Sequence, residues 1–372
     1  MPIPIETLNS IIEYGVKAPS GDNCQPWVFN WKGERLFVIN DERRDTSLYN
    51  VKNIASLIAH GALLENMQIA AEGLGYEMTT VLFPYGDQER VVAEVQFKKA
   101  TNKTDNLLPF IKKRCTNRWP YKRMRLDSHA MGLLQSTANE AKAGELFIVE
   151  DQKEKEIIAR AASLNDRLLF ENQRLHDFLF DHIRWNREEA EATRDGMDIK
   201  TLGLSALQSR LFSFLKSWQV VTKLNLLGFS RLVPFQSYQL CKDSSALGLI
   251  LMHEVSPKAF VLGGRLLERV WLTAASLGLA FQPMTGITFL IQRLYMEDGK
   301  ELSDTHKRLI HKAEEELKKV FPIDKEKAMI MLFRIGYASP PPVMSLRRRI
   351  KIDLQGGLNI SEQNKPIQGH AC

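Results

Sequence analysis

Apolar residues recur at helical spacing in two segments of this chain, and the two segments match each other position for position. Gly61-Ala62-Leu63-Leu64-Glu65 is followed by Ala71, Leu74 and Gly75, and Gly264-Arg265-Leu266-Leu267-Glu268 is followed at the same intervals by Ala274, Leu277 and Gly278. Each predicts a core helix with one apolar stripe (Leu63, Met67, Ala70, Leu74; Leu266, Val270, Thr273, Leu277) that stops at a glycine able to turn left-handed. β-Branched and aromatic runs predict strands, and these pair as well: residues 35–41 with 145–151, and 91–97 with 328–333. With a further helix over about 7–17, the order helix, strand, core helix, strand occurs twice. Three matches in one order point to an internal duplication, with a first repeat over 1–105 and a second over 106–372.

The repeats differ in what surrounds them. Residues 163–245 hold helical stretches rich in apolar side chains, such as Leu168-Leu169-Phe170 and Phe178-Leu179-Phe180, with no counterpart in the first repeat. A stretch of that length predicts a lid or a packing arm. After Gly336 the run Ser339-Pro340-Pro341-Pro342 can continue neither strand nor helix, so 337–372 is expected to leave as an extended C-terminal arm. Its last residues, from Gly356, read as a loosely held tail.

Composition narrows the class. A chain of 372 residues can bury a large core, and its length favours two lobes. It is 44% hydrophobic and 25% charged without a long unbroken apolar run, so no membrane partner is expected; the N-terminus shows no export signal, which leaves a cytoplasmic location. Cys24, Cys115, Cys241 and Cys372 are scattered, and the 8 histidines show no ligand spacing, so neither a disulfide framework nor a metal site is expected. The net charge of +6 suits a phosphate-bearing ligand, while the basic runs lack the interleaved aromatic residues of a nucleic-acid binder.

Candidate chemistry lies in four patches. In the loop 18–27, Gly21 and Pro26 shape an irregular backbone, Ser20, Asn23 and Gln25 offer polar groups, and Trp27 anchors the loop in the core. Arg114, Thr116 and Arg118 place two guanidinium groups and a hydroxyl within five residues, enough to wrap a phosphate. Gln282-Pro283-Met284-Thr285-Gly286 turns directly after the second core helix, and Gly336-Tyr337 leads through the prolines to Arg347-Arg348-Arg349.

These patches, in this order, resemble the nitroreductase superfamily, and most closely its duplicated, Acg-like FMN-binding branch. The resemblance implies an α+β, nitroreductase-like fold in which two diverged repeats form an internal pseudo-dimer of helix-flanked, mostly antiparallel sheets. It implies FMN as cofactor, with Pro19, Ser20, Asn23 and Gln25 in the flavin wall loop and Pro283, Met284, Thr285 and Gly286 along the isoalloxazine edge. Arg114, Thr116 and Arg118, closed over by Arg347 and Arg349, would hold the phosphate.

Family dimers build each flavin site from the wall loop of one subunit and the phosphate residues of the other. Here the wall loop occurs only in the first repeat and the phosphate motif only ahead of the second, so one FMN per chain is expected. The implied activity is that of an FMN-dependent oxidoreductase passing hydride from NADH or NADPH to a small-molecule electron acceptor such as a nitro compound or quinone. No side-chain acid or base is expected, because the flavin carries the chemistry. The alternative is a protein that sequesters FMN beneath the 163–245 insertion with little turnover. The acceptor, and any self-association beyond the pseudo-dimer, are left open.

Overall fold

The computed structural model describes residues 2–87, 89–100 and 105–354; the tail from Gly356 and Cys372 lie outside the described residues. The first half runs α1 (Ile5–Gly15), β1 (Trp27–Lys32), β2 (Arg35–Asn40), α2 (Ile54–Gly73), β3 (Tyr76–Leu82), β4 (Val91–Lys99). The second begins with α3 (Ser128–Ala141) and β5 (Glu145–Val149). A helical excursion follows: α4 (Gln152–Glu171), α5 (Gln173–Asp181), β6 (Ile183–Arg184), α6 (Arg187–Thr193), β7 (Met197–Asp198), α7 (Ala206–Phe214), α8 (Trp218–Leu226), α9 (Phe229–Leu232) and α10 (Pro234–Lys242). Then come β8 (Ala246–Met252), α11 (Pro257–Ser276), β9 (Ala280–Pro283), α12 (Gly286–Glu297), α13 (Asp304–Lys318), β10 (Ala328–Gly336) and β11 (Ile352–Asp353).

Two sheets share one strand plan. The first is ordered β11-β1-β2-β4-β3 and the second β5-β8-β10-β9, antiparallel throughout except where β11 joins β1 in parallel. Superposing the plans matches β1 with β5, β2 with β8, β4 with β10, and β3 with β9. That upholds the pairing of 91–97 with 328–333 and corrects that of 35–41 with 145–151. Residues 35–41 form the inner strand β2, whose counterpart is β8, whereas β5 is the edge strand matching β1. Two edge-like apolar runs of similar composition look alike in sequence; hydrogen-bonded neighbours separate them.

The excursion replaces the Gly33 hairpin between β1 and β2, so it starts with α4 directly after β5 and before residue 163. A second excursion, α12 and α13, stands where the first half has a plain β3–β4 connection. The arm does leave after Gly336, and within the described residues it adds β11 to the sheet of the other half.

The core helices meet at the centre. Both are 20 residues long and both are followed by a positive-φ glycine, Gly75 (φ 80) and Gly278 (φ 69), as their sequences foretold. A Cβ at Gly61 would overlap the carbonyl oxygen of Val261, and a Cβ at Gly264 would overlap that of Ile58, so only glycine lets the helices cross this closely. Most of α2 is buried, including Ser56, His60, Glu65 and Asn66, as befits a helix walled on all sides. One apolar core unites Leu63, Leu64, Leu266 and Leu267 with Phe29 of one sheet and Phe281 and Phe333 of the other. Two separate lobes, expected from length, are therefore absent among the described residues: the halves share a core. The excursion has its own aromatic cluster around Phe170, Phe180 and Trp218. No helix among the described residues is long and apolar enough to cross a membrane.

Candidate functional site

The loop between α1 and β1 holds a backbone that side chains rarely adopt. Asp22 (φ 41), Asn23 (φ 58) and Gln25 (φ 54) are left-handed although none is glycine. Strain of this kind persists only where surrounding bonds over-determine it, and it gathers at functional sites. Here the Gln25 N–H donates to Ser20 Oγ, and the Asn23 amide donates to the carbonyls of Gly196 and Leu346. A Cβ at Gly21 would stand 3.0 Å from Asp45 Oδ2, a tight fit that the carboxylate would have to relieve by shifting. Trp27 is buried edge-on to His60, as an anchor should be.

This loop forms one wall of a cavity of about 420 Å³. Pro19 and Ser20 line it together with Thr116, Arg118, Pro283, Met284, Thr285 and Gly286, residues drawn from three distant parts of the chain. The roof comes from the excursion, chiefly Leu169 of α4, Phe178 and Leu179 of α5, and Leu240 and Cys241 of α10. A smaller cavity of about 90 Å³ adjoins it, sharing Pro19, Ser20, Asp22, Thr116 and Arg118, and adding Asn23, Arg114 and Arg347.

The small cavity is cationic by construction. Arg114 is buried 3.0 Å from Glu268, lies 4.3 Å over the Trp271 ring and donates to the Lys17 carbonyl. Arg347 donates to the carbonyls of Val16, Lys17 and Ala18 at the end of α1, and burial beside Arg114 lowers it to about 9. Arg118, its pKa also lowered by burial, donates to the Thr201 carbonyl. The bonds to carbonyls orient the guanidinium groups, and Glu268 offsets only part of the charge of the three, so an entering dianion would relieve the repulsion that remains. Asn23 Oδ1 is buried with no hydrogen-bond partner among the described residues. Asp22 lines the same space, and burial raises its pKa while Arg118 and His182 act against that shift.

Two expected residues stand elsewhere. Gln25 lines neither cavity; its amide donates to the carbonyls of Asn23 and Arg194 and its oxygen accepts from the Arg348 N–H, which ties the loop to the arm. Arg349 is exposed and lines neither cavity; of the run 347–349 only Arg347 lines the small one, held there by the carbonyls of Val16, Lys17 and Ala18, while Arg348 and Arg349 both stay exposed. The Met284 N–H is also engaged, donating to the Leu332 carbonyl at 2.7 Å. Free donors lie one step on: α12 starts at Gly286 without a side-chain cap, leaving first-turn N–H groups beside the cavity.

Several lining residues were not foreseen. Asp45 and Asp166 both face the large cavity, and burial raises each carboxyl to about 6. Tyr49 donates to Asn165 Oδ1, and Gly286 has no room for a Cβ against that amide. Arg334 is fully buried on β10 and donates to Gln282 Oε1 and to the carbonyls of Leu240 and Trp119, fixing the turn, the roof and the phosphate-motif loop to one strand. A charge within the apolar run 328–335 was a legible signal; Asp166, on an amphipathic helix, gave none.

No family model matches the chain. An uncharacterised protein of Mycobacterium tuberculosis is 25% identical over 347 residues, 93% of this chain, and the chain spans about half (48%) of that relative's length. Among solved structures, the FMN-dependent nitroreductase of Mycobacterium smegmatis in complex with NADPH aligns over 70% of this chain and 96% of its own, at 12% identity and a TM-score of 0.36. An oxidised iodotyrosine deiodinase bound to FMN and 3-iodo-L-tyrosine covers 66% and 96% at 17% identity and TM-score 0.35. A nitroreductase with bound FMN from Bacteroides fragilis covers 67% and 96% at 12% and 0.34. The solved structures with which this chain aligns thus include two FMN nitroreductases and an FMN-bound deiodinase, each covering 66–70% of this chain.

Proposed function

We propose that this chain is an FMN-dependent oxidoreductase of the nitroreductase type, a duplicated pseudo-dimer with a single flavin, working in the cytoplasm. The observation that carries this reading is the junction of a flavin-sized, largely apolar cavity with a small pocket walled by Arg114, Arg118 and Arg347. Arg114, Arg118, Arg347 and Thr116 would hold the phosphate, while Pro19, Ser20 and the 283–286 turn would border the ring system. When bound, FMN supplies hydride transfer from NADH or NADPH to a nitro, quinone or similar electron-poor acceptor. The chain's own part is to bind, to keep water out with the apolar roof, and to offer the first-turn N–H groups of α12 to charge building up on the ring. Asp45 and Asp166, whose carboxyls burial raises to about 6, line the same cavity.

A specific observation favours a second reading. Leu169, Phe178 and Leu179 of the excursion line the cavity, and an excursion held shut over it would make the protein an FMN store with little turnover. Anaerobic titration of the FMN-loaded protein with NADH and NADPH separates the readings. Bleaching of the flavin absorbance supports the enzyme; bound FMN that neither nicotinamide bleaches supports the store; a chain that refuses FMN overturns both.

A further inference from the structure

Helices α7 to α10 carry a surface that the described chain leaves uncovered. Every large apolar residue among the described ones that is more than 60% exposed lies there: Leu207, Phe214, Leu226, Leu227, Leu232 and Phe235. Leu207, Leu211 and Phe214 stand at i, i+4 and i+7 on one face of α7, while Phe212 and Leu215 turn inward to the aromatic cluster. Leu226 and Leu227, 87% and 85% exposed, close α8; after the turn at Gly228 (φ 85), Leu232 and Phe235 follow at 71% and 67%. Single exposed leucines are ordinary, but a concentration of this kind marks an interaction surface.

Its charge states what covers it. Residues 199–242 contain Lys200, Arg210, Lys216, Lys223, Arg231 and Lys242 and not one Asp or Glu, and the first five of these bases are exposed. Glu171 of α4, which accepts from the Ser230 hydroxyl, is already paired with Arg167. A second copy of the chain meeting this surface with its own would set bases against bases. We propose that the α7–α10 arm docks on the surface of an anionic lipid bilayer, its leucines and phenylalanines entering the headgroup boundary and its lysines and arginines meeting lipid phosphates. Contact is with the surface alone, since no described helix can span, so the expectation of no membrane partner is revised only to that extent. Leu202, Leu240 and Cys241 of the same segment line the cavity, so docking would set its roof against lipid.

Flotation of the purified full chain tests this with phosphatidylcholine vesicles and with vesicles of phosphatidylcholine and phosphatidylglycerol. The chain is expected to float with the anionic vesicles only, less so as salt rises. The double variant Leu226→Ser, Leu227→Ser, at positions too exposed to upset folding, should lose at least about tenfold in binding with an unchanged thermal melt. Lys223→Glu with Arg231→Glu should do the same. Failure to float, equal binding to neutral vesicles, or a dimer in sedimentation that the leucine variant dissolves would each overturn the proposal, the last in favour of self-contact.

Discussion

Gly61 of α2 and Gly264 of α11 occupy each other's space: each stands where a methyl group on its own Cα would strike a carbonyl of the opposite helix. The contacts are reciprocal, Gly61 against Val261 and Gly264 against Ile58, and all four residues obey one constant offset between the halves. Such mutual contact is what an isologous dimer interface becomes when both partners lie on one chain. Gly61→Ala or Gly264→Ala forces backbone from backbone, so either should cost about 3 kcal/mol or more, read as a lower urea midpoint at unchanged slope. A loss under about 0.5 kcal/mol would mean that the crossing is looser than described.

Arg347 should matter to a phosphate and not to a ring. Its guanidinium, lowered to about 9 and bonded only to carbonyls, has no carboxylate of its own in the small cavity. For Arg347→Gln, FMN affinity is expected to fall at least about tenfold, the worth of one charge-assisted hydrogen bond, with riboflavin affinity nearly unchanged. Calorimetric titration with both ligands checks this, and equal losses for the two would remove Arg347 from phosphate binding.

Asp45 gives the protein a pH signature. Its carboxyl is raised from 3.8 to about 6 by burial, while Ser47 donates to Oδ1 from both backbone and hydroxyl. Below pH 3.8 the group is protonated folded or unfolded and costs nothing; as pH climbs toward 6 the unfolded chain ionises first and stability is lost. Asp45→Asn keeps an acceptor for Ser47 and abolishes that loss. Relative to the parent, the variant should gain on the order of 2 kcal/mol between pH 4 and 7, measured by urea unfolding at both ends.

Arg334 joins three segments through four carbonyl or amide oxygens, more than an ammonium group can serve. Arg334→Lys should cost about 2–3 kcal/mol and loosen the 282–286 turn, so bound flavin should be lost on dilution faster than from the parent protein. A thermal melt and fluorescence of released flavin report the two effects separately.

Much of this was legible because helix periodicity survives divergence. The repeat of Gly61–Gly75 in Gly264–Gly278 located the two core helices, and Thr116, Arg118 and the 283–286 turn do converge on one cavity with Pro19 and Ser20, with Arg114 in the small cavity that adjoins it. Strand equivalence was legible for 91–97 and 328–333 but not for 35–41 and 145–151, which have similar composition and are told apart only by their hydrogen-bonded neighbours. Spacing favoured Arg347 and Arg349 together, as strict alternation would, but only Arg347 lines the small cavity, because the carbonyls that follow α1 hold that one guanidinium. Asp45, Tyr49 and Asp166 reach the cavity from a polar loop and a helix whose sequences carry no motif to single them out.

The central claim is a single flavin shared between the two halves. Titrating the purified chain with FMN, followed by quenching of flavin fluorescence, tests it most directly. The account predicts saturation at one FMN per chain, with Arg347→Gln weakening that one site. Saturation at two, or no saturable binding at all, would contradict it.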